Sequence, residues 1–284
     1  MVEKYKEYFK KLPVMPEVAN RILSIPENHI EISFQELENI IKIDPALCAK
    51  VLKVANSAQY ARPREIKSLQ MAITLLGFKT IKSFVLLYSA SNMMPGIQKT
   101  GFYKSFWRHS VITAFLAKAI IINCQYRDLA EIAFLSGLFH DIGQPAFFLA
   151  HGKEYMELHE RASQSLKPIE DLEEEDYQTN HKDLGASILE SWNFPEIYIH
   201  VANEHESLNI RSHHKMMIIY TSIADIISMK LGYALSISNR DELLKNYLLH
   251  TNLKETDQEY YEKEFLKKIK EDALFCECQE LFDF

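Results

Sequence analysis

The adjacent pair His140-Asp141 is the clearest candidate for chemistry in this sequence. It directly follows eight apolar or small residues, 132–139 (IAFLSGLF), and a second apolar stretch, 145–150 (PAFFLA), comes soon after it. Two ionisable side chains in such a setting are expected to be buried, and a buried charge needs a partner or a metal ion. The pair therefore predicts a buried polar site whose other members come from elsewhere in the chain.

Two more ionisable residues stand alone on apolar helices. His109 shares the core-facing stripe of the segment 102–123 with Phe106 and Leu116. Asp225 is the only charged residue between positions 216 and 229, and helical spacing puts Ser228 on its side. Three separate helices thus each carry an interior-pointing polar group.

These groups could form a metal site if they converge. Two imidazoles, of His109 and His140, and two carboxylates, of Asp141 and Asp225, suit a divalent first-row metal such as Mn, Fe, Ni or Zn. For any one of the four, the alternative of an ordinary hydrogen-bonded core residue stays open.

The elements that must position these residues are helices. Few segments alternate as strands do, and only eight of the 284 residues are glycine. Asp44-Pro45, Ser68 and Asn180 are helix-start signals, and Gly77 and Gly232 are stop signals. The sequence predicts an all-α protein with helices at 16–25, 34–42, 45–56, 69–76, 79–93, 102–123, 129–141, 153–164, 181–192, 195–206, 214–231, 239–249 and 257–280.

The Pro95-Gly96 turn divides the chain into two helical subdomains that are expected to pack together. The predicted organisation is an N-terminal subdomain at 1–95, a central helical bundle at 96–235 and a C-terminal helical extension at 236–284. The last helix could pack back on the domain or bind a partner. Residues 170–176 contain six acidic residues in seven, and this run predicts a solvated loop or a frayed helix, with a partner-binding patch as the alternative.

Composition limits the choice of partners and compartment. The formal net charge of −7 does not favour binding to a nucleic-acid backbone. The N-terminus lacks the apolar core of a signal peptide, and no uncharged span of 18 residues is present, so a cytoplasmic protein without membrane contacts is expected. The four cysteines are too few and too scattered for a disulfide framework.

The remaining histidines are weaker candidates. If the helix to Asp225 is continuous, His214 lies about 16 Å from it along the axis, at 1.5 Å per residue. This excludes a metal shared with Asp225 and predicts that His213 and His214 form an exposed pair at a helix start. His200 and His205 differ by about 140° around a helix, so both cannot face one site, and His200 is predicted to lie outside it.

The order of His109, His140-Asp141 and Asp225 resembles the H…HD…D signature of the HD superfamily of metal-dependent phosphohydrolases. The N-terminal half resembles the HDOD branch of that superfamily. That resemblance rests on residues 12–18 (LPVMPEV), 44–47 (DPAL), 54–58 (VANSA), 68–69 and 72–73 (SL, AI), 75–77 (LLG) and 106–110 (FWRHS). It implies an all-α fold with an HD-like helical bundle, and a bacterial signalling context in which many members act as regulatory modules without demonstrated catalysis.

The related HD-GYP phosphodiesterases carry further histidines for a second metal. His181 is present where one is expected, and His205 matches the second member of a His-His pair whose first member is Glu204 here. A lysine normally found three residues after the HD aspartate is Gln144, which removes a cation that could hold a phosphate oxygen. With the Gly-Tyr-Pro motif also absent, the resemblance does not support cleavage of cyclic dinucleotides.

The sequence therefore predicts a bacterial, cytoplasmic HDOD signalling module that acts through protein contacts and retains an HD-type metal site. The resemblance implies His109, His140, Asp141 and Asp225 as metal ligands, with His181 and His205 completing a second position that Asp141 would bridge. The alternative is a metal-dependent phosphohydrolase acting on a nucleotide or another phosphate ester, with Asp141 and Glu204 as its catalytic residues.

Overall fold

The computed structural model describes residues 16–25, 30–57, 65–92, 94 and 96–284. Within these ranges the chain is all-α: every regular element is helical and no strand occurs. Residues 12–15 and 58 of the motifs above, and Pro95 of the predicted break, lie outside the described residues. The helices belong to two compact units, and the boundaries at 95 and 235 drawn from the sequence stay a prediction.

The unit formed by Gly96–Leu266 contains all the candidate site residues. Its helices are α6 (Gly101–Asn123), α7 (Ala130–Phe139), α8 (Gln144–His151), α9 (Lys153–Ser165), α10 (Ile169–Tyr177), α11 (His181–Ser191), α12 (Glu196–Glu204), α13 (Lys215–Lys230), α14 (Asp241–Leu248) and α15 (Glu255–Lys263), with a short 3-10 turn at Arg127–Leu129. The sequence did not predict α8 or α10.

The second unit contains the described part of Pro13–Pro95 together with Lys267–Asp283. Its helices are α1 (Glu17–Leu23), α2 (Ile30–Ile41), α3 (Pro45–Ala55), α4 (Leu69–Leu76), α5 (Phe78–Ser91) and α17 (Ala273–Phe282). The short helix α16 (Phe265–Ile269) spans the change from the first unit to the second. The continuous helix predicted at 257–280 is therefore wrong.

Helix starts in both units follow the predicted capping chemistry. The Asp44 carboxylate accepts hydrogen bonds from the backbone N–H groups of Ala46 and Leu47, and Ser68 and Asn180 cap α4 and α11 in the same manner. Gly77 ends α4 with φ +85°, a conformation that costs a glycine little. These local signals hold because they depend on neighbouring residues only.

The core of the first unit is the packing of α6 against α7 and α13. Gly137 on α7 permits this close approach: a Cβ at that position would lie 2.7 Å from the Cα of Ala114 on α6. Gly143 plays the corresponding part in the turn after the His-Asp pair, because its Cβ would lie 1.9 Å from the carbonyl oxygen of His181. The two glycines bring α6 and the N-terminus of α11 against the His-Asp turn.

Two segments of this unit are long and apolar enough to cross a membrane by length and composition, Gly101–Asn123 and Arg127–His151. Of their most apolar 18-residue windows, 72% and 83% respectively are buried inside the protein. The helices Leu69–Leu76 and Phe78–Ser91 of the other unit, which meet at a bend, are also long and apolar enough to cross a membrane if they are counted as one span. In the first two segments, packing within the unit accounts for the apolar composition.

Candidate metal centre

His109, His140 and Asp225 meet in the interior of the first unit. His109 comes from the middle of α6, His140 from the C-terminal end of α7 and Asp225 from α13, and none is more than 5% exposed. Asp225 Oδ1 lies 3.1 Å from His109 Nε2 and 3.5 Å from His140 Nε2, and the two Nε2 atoms are 3.3 Å apart. The predicted convergence of three helices is therefore present.

Asp141 connects this group to a second pair of histidines. Its Oδ2 atom lies 3.6 Å from His109 Nε2 and 3.4 Å from His140 Nε2. Its Oδ1 atom lies 3.3 Å from His181 Nε2 and 3.2 Å from His205 Nε2. The carboxylate thus presents one oxygen to each pair of imidazoles.

The other ring nitrogen of each histidine is held by the protein. Nδ1 of His140 donates to the carbonyl of Gly137 at 2.8 Å, and Nδ1 of His205 donates to that of Ala202 at 3.0 Å. His181 Nδ1 donates to Glu173 Oε2 at 2.7 Å. Because these oxygens only accept, Nδ1 carries a proton in each of these three rings, and Nε2 is the nitrogen that faces the centre. This orientation is the usual one for metal-binding histidines.

The fourth histidine, His109, is oriented by Ser228. Its Nδ1 lies 3.1 Å from Ser228 Oγ, one turn beyond Asp225 on the same helix. Helical spacing had put Ser228 on the side of Asp225, and the structure confirms this. A single turn of α13 therefore supplies both a carboxylate to the centre and a partner that fixes an imidazole.

The mutual electrostatics of the cluster are strong. Burial raises the pKa of the Asp141 carboxyl, but His140 and hydrogen bonds from His109, His181 and His205 outweigh burial and hold that pKa well below its usual range. Burial lowers the pKa of His109, whereas Asp141 and Asp225 raise it, with a net value of about 10. Charges of both signs thus stabilise each other in an interior that disfavours either alone.

The donor set and its spacing fit divalent metal ions. Metal–ligand distances of about 2.0–2.2 Å place neighbouring ligand atoms about 3 Å apart, close to the 3.1–3.6 Å separations between the nitrogens and carboxylate oxygens here. His109, His140 and Asp225 form one group that could hold an ion, and His140, Asp141 and His205 form another. All of these residues are buried, as a desolvated metal site requires.

Comparison with known proteins identifies the family. The HDOD domain model matches residues 12–208, which is well over half of the chain. The chain belongs to the HDOD domain family. A curated relative, an uncharacterised protein of Treponema pallidum (strain Nichols), is 20% identical over 196 residues, which are 68% of this chain and 38% of that protein. The chain therefore spans well under half the length of that relative.

Solved structures share the fold of this HDOD protein. An HDOD domain protein of unknown function from Geobacter sulfurreducens has a TM-score of 0.73 at 20% identity, covering 100% of this chain and 98% of its own. A proposed signal transduction protein from Marinobacter aquaeolei VT8 has a TM-score of 0.73 at 16% identity, with coverage of 99% and 65%. A proposed phosphohydrolase from Shewanella amazonensis SB2B has a TM-score of 0.71 at 16% identity, and the match covers 98% of this chain and 97% of its own. At these identities the likeness shows the fold alone.

The acidic segment of this HDOD protein is not the solvated loop or frayed helix expected from its composition. It forms α10, and Glu173 within it is fully buried. Glu173 accepts hydrogen bonds from Nδ1 and the backbone N–H of His181 and from the hydroxyl of Tyr155, at 2.6–2.8 Å. The run of like charge is tolerated because its members have different partners: Glu173 contacts His181 of the centre, and Asp176 pairs with Arg161 at the surface.

Glu170, on the same helix, belongs to a network of charges beside the centre. Its Oε1 atom lies 2.7 Å from Lys182 Nζ and 2.7 Å from Arg240 Nη2. The same Arg240 nitrogen contacts Glu206 Oε2 at 2.7 Å. Sequence reasoning missed Glu173, Glu206 and Arg240, because nothing in their local sequence separates them from surface residues.

The structure does not bring Glu204 to the cluster. Its Oε2 atom accepts hydrogen bonds from the backbone N–H groups of Arg211 and Ser212 at 2.6 and 3.3 Å, which closes the loop after α12. Two residues later, Glu206 lines the cavity above the centre. Gln144 also lines it and donates through Nε2 to Asp141 Oδ2 at 2.7 Å.

The cavity over the centre is small and partly covered. Its volume is about 30 Å³, which is room for about two water-sized guests, since one water needs roughly 10–15 Å³. The segment 234–240 lines its mouth. Hydrogen bonds hold this segment to α9 and the residue after it: His159 Nδ1 lies 3.2 Å from Ser236 Oγ, the Ile237 N–H donates to Ser163, and the Asn239 N–H donates to Leu166.

Proposed function

We propose that this HDOD protein is a bacterial signalling module that acts through contacts with other proteins and whose HD centre binds divalent metal ions. The observation that carries the metal assignment is that four Nε2 atoms and two carboxylates face one another while the protein fixes the opposite side of every imidazole. Such preorientation is costly in a core and is typical of metal sites.

Two metal positions share Asp141 in this proposal. His109, His140, Asp141 and Asp225 are the ligands of the first, and His181 and His205 complete the second together with Asp141. Mixed imidazole and carboxylate ligands suit Mn, Fe, Ni or Zn. Bound metal would link α6, α7, α11, α12 and α13 through these ligands, and it would thereby stabilise this unit as the platform for partner proteins.

The small size of the cavity supports the signalling module rather than the phosphohydrolase. Pockets for small molecules usually measure about 300–1,000 Å³, whereas this one measures about 30 Å³ and has room for little beyond ions and water. Arg240 lines this cavity, but its guanidinium is already paired with Glu170 and Glu206. A phosphate ester would have to displace the segment 234–240 and compete with both carboxylates for this cation.

One observation favours the second candidate, a metal-dependent phosphohydrolase acting on a nucleotide or another phosphate ester. Asp141 presents an oxygen to each pair of imidazoles, as in sites with two metals, and a solved structure with the same fold carries the name of a proposed phosphohydrolase. Bound metal would lower the pKa of water and polarise a phosphoryl oxygen. Asp141 would hold and bridge the ions, and Gln144 would orient Asp141 through its hydrogen bond.

Metal analysis of purified protein, combined with a turnover assay on a panel of nucleotides and phosphate esters, tests the proposal. We expect stoichiometric Mn, Fe, Ni or Zn in the wild type, its loss in Asp141→Ala, and no turnover. Asp241→Ala is the matched control, because Asp241 is exposed and forms a surface ion pair with Lys230.

Metal-dependent turnover that disappears in Asp141→Ala would establish the phosphohydrolase instead. Wild-type protein without metal after purification and after reloading would end the metal assignment. The cytoplasmic location and the lack of membrane and nucleic-acid contacts are part of the same proposal. The net charge of −7 supports only the lack of nucleic-acid contacts, which salt-dependent DNA binding would contradict. Recovery in the membrane fraction would contradict the location.

A further inference from the structure

A second group of histidines lies at the surface of the same unit, outside the centre described above. His200 is on α12, and His213 and His214 are in the turn that leads into α13. The ring centroids are 4.0 Å apart for His213 and His214, 5.4 Å for His200 and His214, and 5.7 Å for His200 and His213. One nitrogen from each ring lies within 4.8 Å of the others.

The loop between α12 and α13 is built to bring these rings together. Ser212 Oγ lies 2.7 Å from His200 Nδ1 and accepts the backbone N–H of His214 at 3.0 Å. Glu204 closes the same loop by accepting the N–H groups of Arg211 and Ser212. A hydrogen-bonded turn of the backbone therefore keeps the three imidazoles close together.

A nearby carboxylate and the lowered pKa of His214 add to the chemistry of a cation site. Glu196 Oε1 lies 3.4 Å from His200 Nε2. Partial burial, followed by the proximity of His213 and His200, lowers the pKa of the His214 imidazole, and Glu196 opposes this. Unprotonated imidazole is the form that binds metal, so this shift favours His214 as a ligand.

This cluster is separate from the buried centre. Asp225 follows His214 by eleven positions, and the intervening residues all belong to α13, so the two are about 16 Å apart along the axis at 1.5 Å per residue. One ion cannot bridge that distance. The surface cluster would therefore have its own affinity and its own exchange with solvent.

We propose that His200, His213 and His214 form a surface site for a zinc ion, with Glu196 or a water molecule as the fourth ligand. Three imidazoles and one oxygen are a donor set that tetrahedral zinc accepts, with Zn–N distances of about 2.0–2.1 Å. The half-buried His200 and His214 and the exposed His213 need only side-chain rotations to reach those distances. The ion ties α12 to the start of α13 and thereby fixes the loop that begins at His205 and Glu206.

Calorimetric titration of the full-length protein with Zn²⁺ alone, after the resident metal has been measured, tests this site. We expect the wild type to bind one further equivalent. The double variant His213→Gln/His214→Gln should lose that equivalent, and His200→Gln should weaken it by roughly tenfold or more, since each removes a nitrogen ligand. His250→Gln is the matched control, because His250 is an exposed histidine outside the cluster.

Two further readouts distinguish a ligand site from a structural effect. Co²⁺ bound in place of zinc should give the visible absorption of a tetrahedral ion in the wild type and in His250→Gln, but not in the double variant. Zinc should also raise the unfolding temperature of the wild type and leave that of the double variant unchanged. The proposal is overturned if the double variant still takes up the extra equivalent, if His250→Gln loses it equally, or if the wild type binds none.

Discussion

At the scale of single residues, the candidate centre depends on groups that orient its histidines without being proposed metal ligands themselves. Ser228 and Glu173, together with the carbonyls of Gly137 and Ala202, hold the far nitrogens of the four histidines. Glu173 matters most among these, because a charged acceptor orients the imidazole more strongly than a carbonyl does. The affinity of the second metal position is therefore expected to depend on a residue of the acidic helix α10.

Replacing Glu173 with Gln should weaken metal binding at the position of His181 and His205 by about 10–100-fold, the usual cost of losing the partner of a ligating histidine. The position of His109 and Asp225 should keep its metal, because its own orienting contacts are intact. Competition with a chelator, followed by metal analysis, measures both. Glu175→Gln is the control, since that carboxylate is exposed on the same helix; equal metal loss in both variants would contradict the orienting role of Glu173.

At the scale of elements, the centre exists because helices approach more closely than ordinary side chains permit. The turn after Asp141 lies against the first residues of α11, and only glycine fits at position 143. Gly185 on α11 meets Gly143 from the other side, so backbone contacts backbone at this point. This approach is what brings His181 to the carboxylate of Asp141.

Substituting Gly143 with Ala should therefore separate α11 from the turn. The added methyl group would lie 1.9 Å from the carbonyl oxygen of His181, and backbone cannot move aside as a flexible side chain can. We expect a loss of more than about 3 kcal/mol in the free energy of unfolding, as for severe overpacking, together with loss of metal. Denaturant unfolding measures this.

The matched control for that substitution is Gly101→Ala. Gly101 begins α6, and nothing lies within 4 Å of the position that its Cβ would take. Alanine also favours a helix over glycine by up to about 1 kcal/mol, so this variant should be as stable as the wild type or slightly more stable. Equal destabilisation by both substitutions would contradict the close contact of Gly143.

At the scale of the whole molecule, the last helix belongs to the same unit as α1–α5. Glu277 on α17 is 2% exposed and forms ion pairs with Lys50 and Lys53 of α3. Buried Phe275 and Phe282 lie on the same helix. The last helix thus packs back on the chain, which the sequence had left undecided, and the proposed metal ligands all belong to the other unit.

Glu277→Ala should destabilise the unit that contains α3 and α17 by about 1–2 kcal/mol. The carboxylate is buried, but both lysine ammonium groups can return to solvent, which keeps the cost below that of a fully buried pair. Metal content should not change. Glu280→Ala, which removes the exposed partner of Lys53, should cost no more than about 0.5 kcal/mol; loss of metal in Glu277→Ala would contradict the independence of the centre.

The sequence by itself determined the all-α class and most of the helices, and it identified His109, His140, Asp141 and Asp225 as interior-pointing groups whose convergence was a hypothesis. It could do so because a lone charge on an apolar helix has few ways to be accommodated, and because caps and stops act over a few residues. The family resemblance added His181 and His205, and both now lie beside Asp141. These features can be predicted from the sequence because each depends on the residue pattern of a single helix or on a family motif.

Only the tertiary structure decided which residues surround those ligands. Glu204 and Glu206 are two positions apart in an acidic stretch, yet one closes a loop and the other lines the cavity. Glu173 was hidden in a run of like charges, and His200 was set aside although it meets His213 and His214. Periodicity tells which face of its own helix a side chain occupies. Which other helix or loop meets that face is set by packing between segments distant in sequence, such as the backbone contact at Gly143.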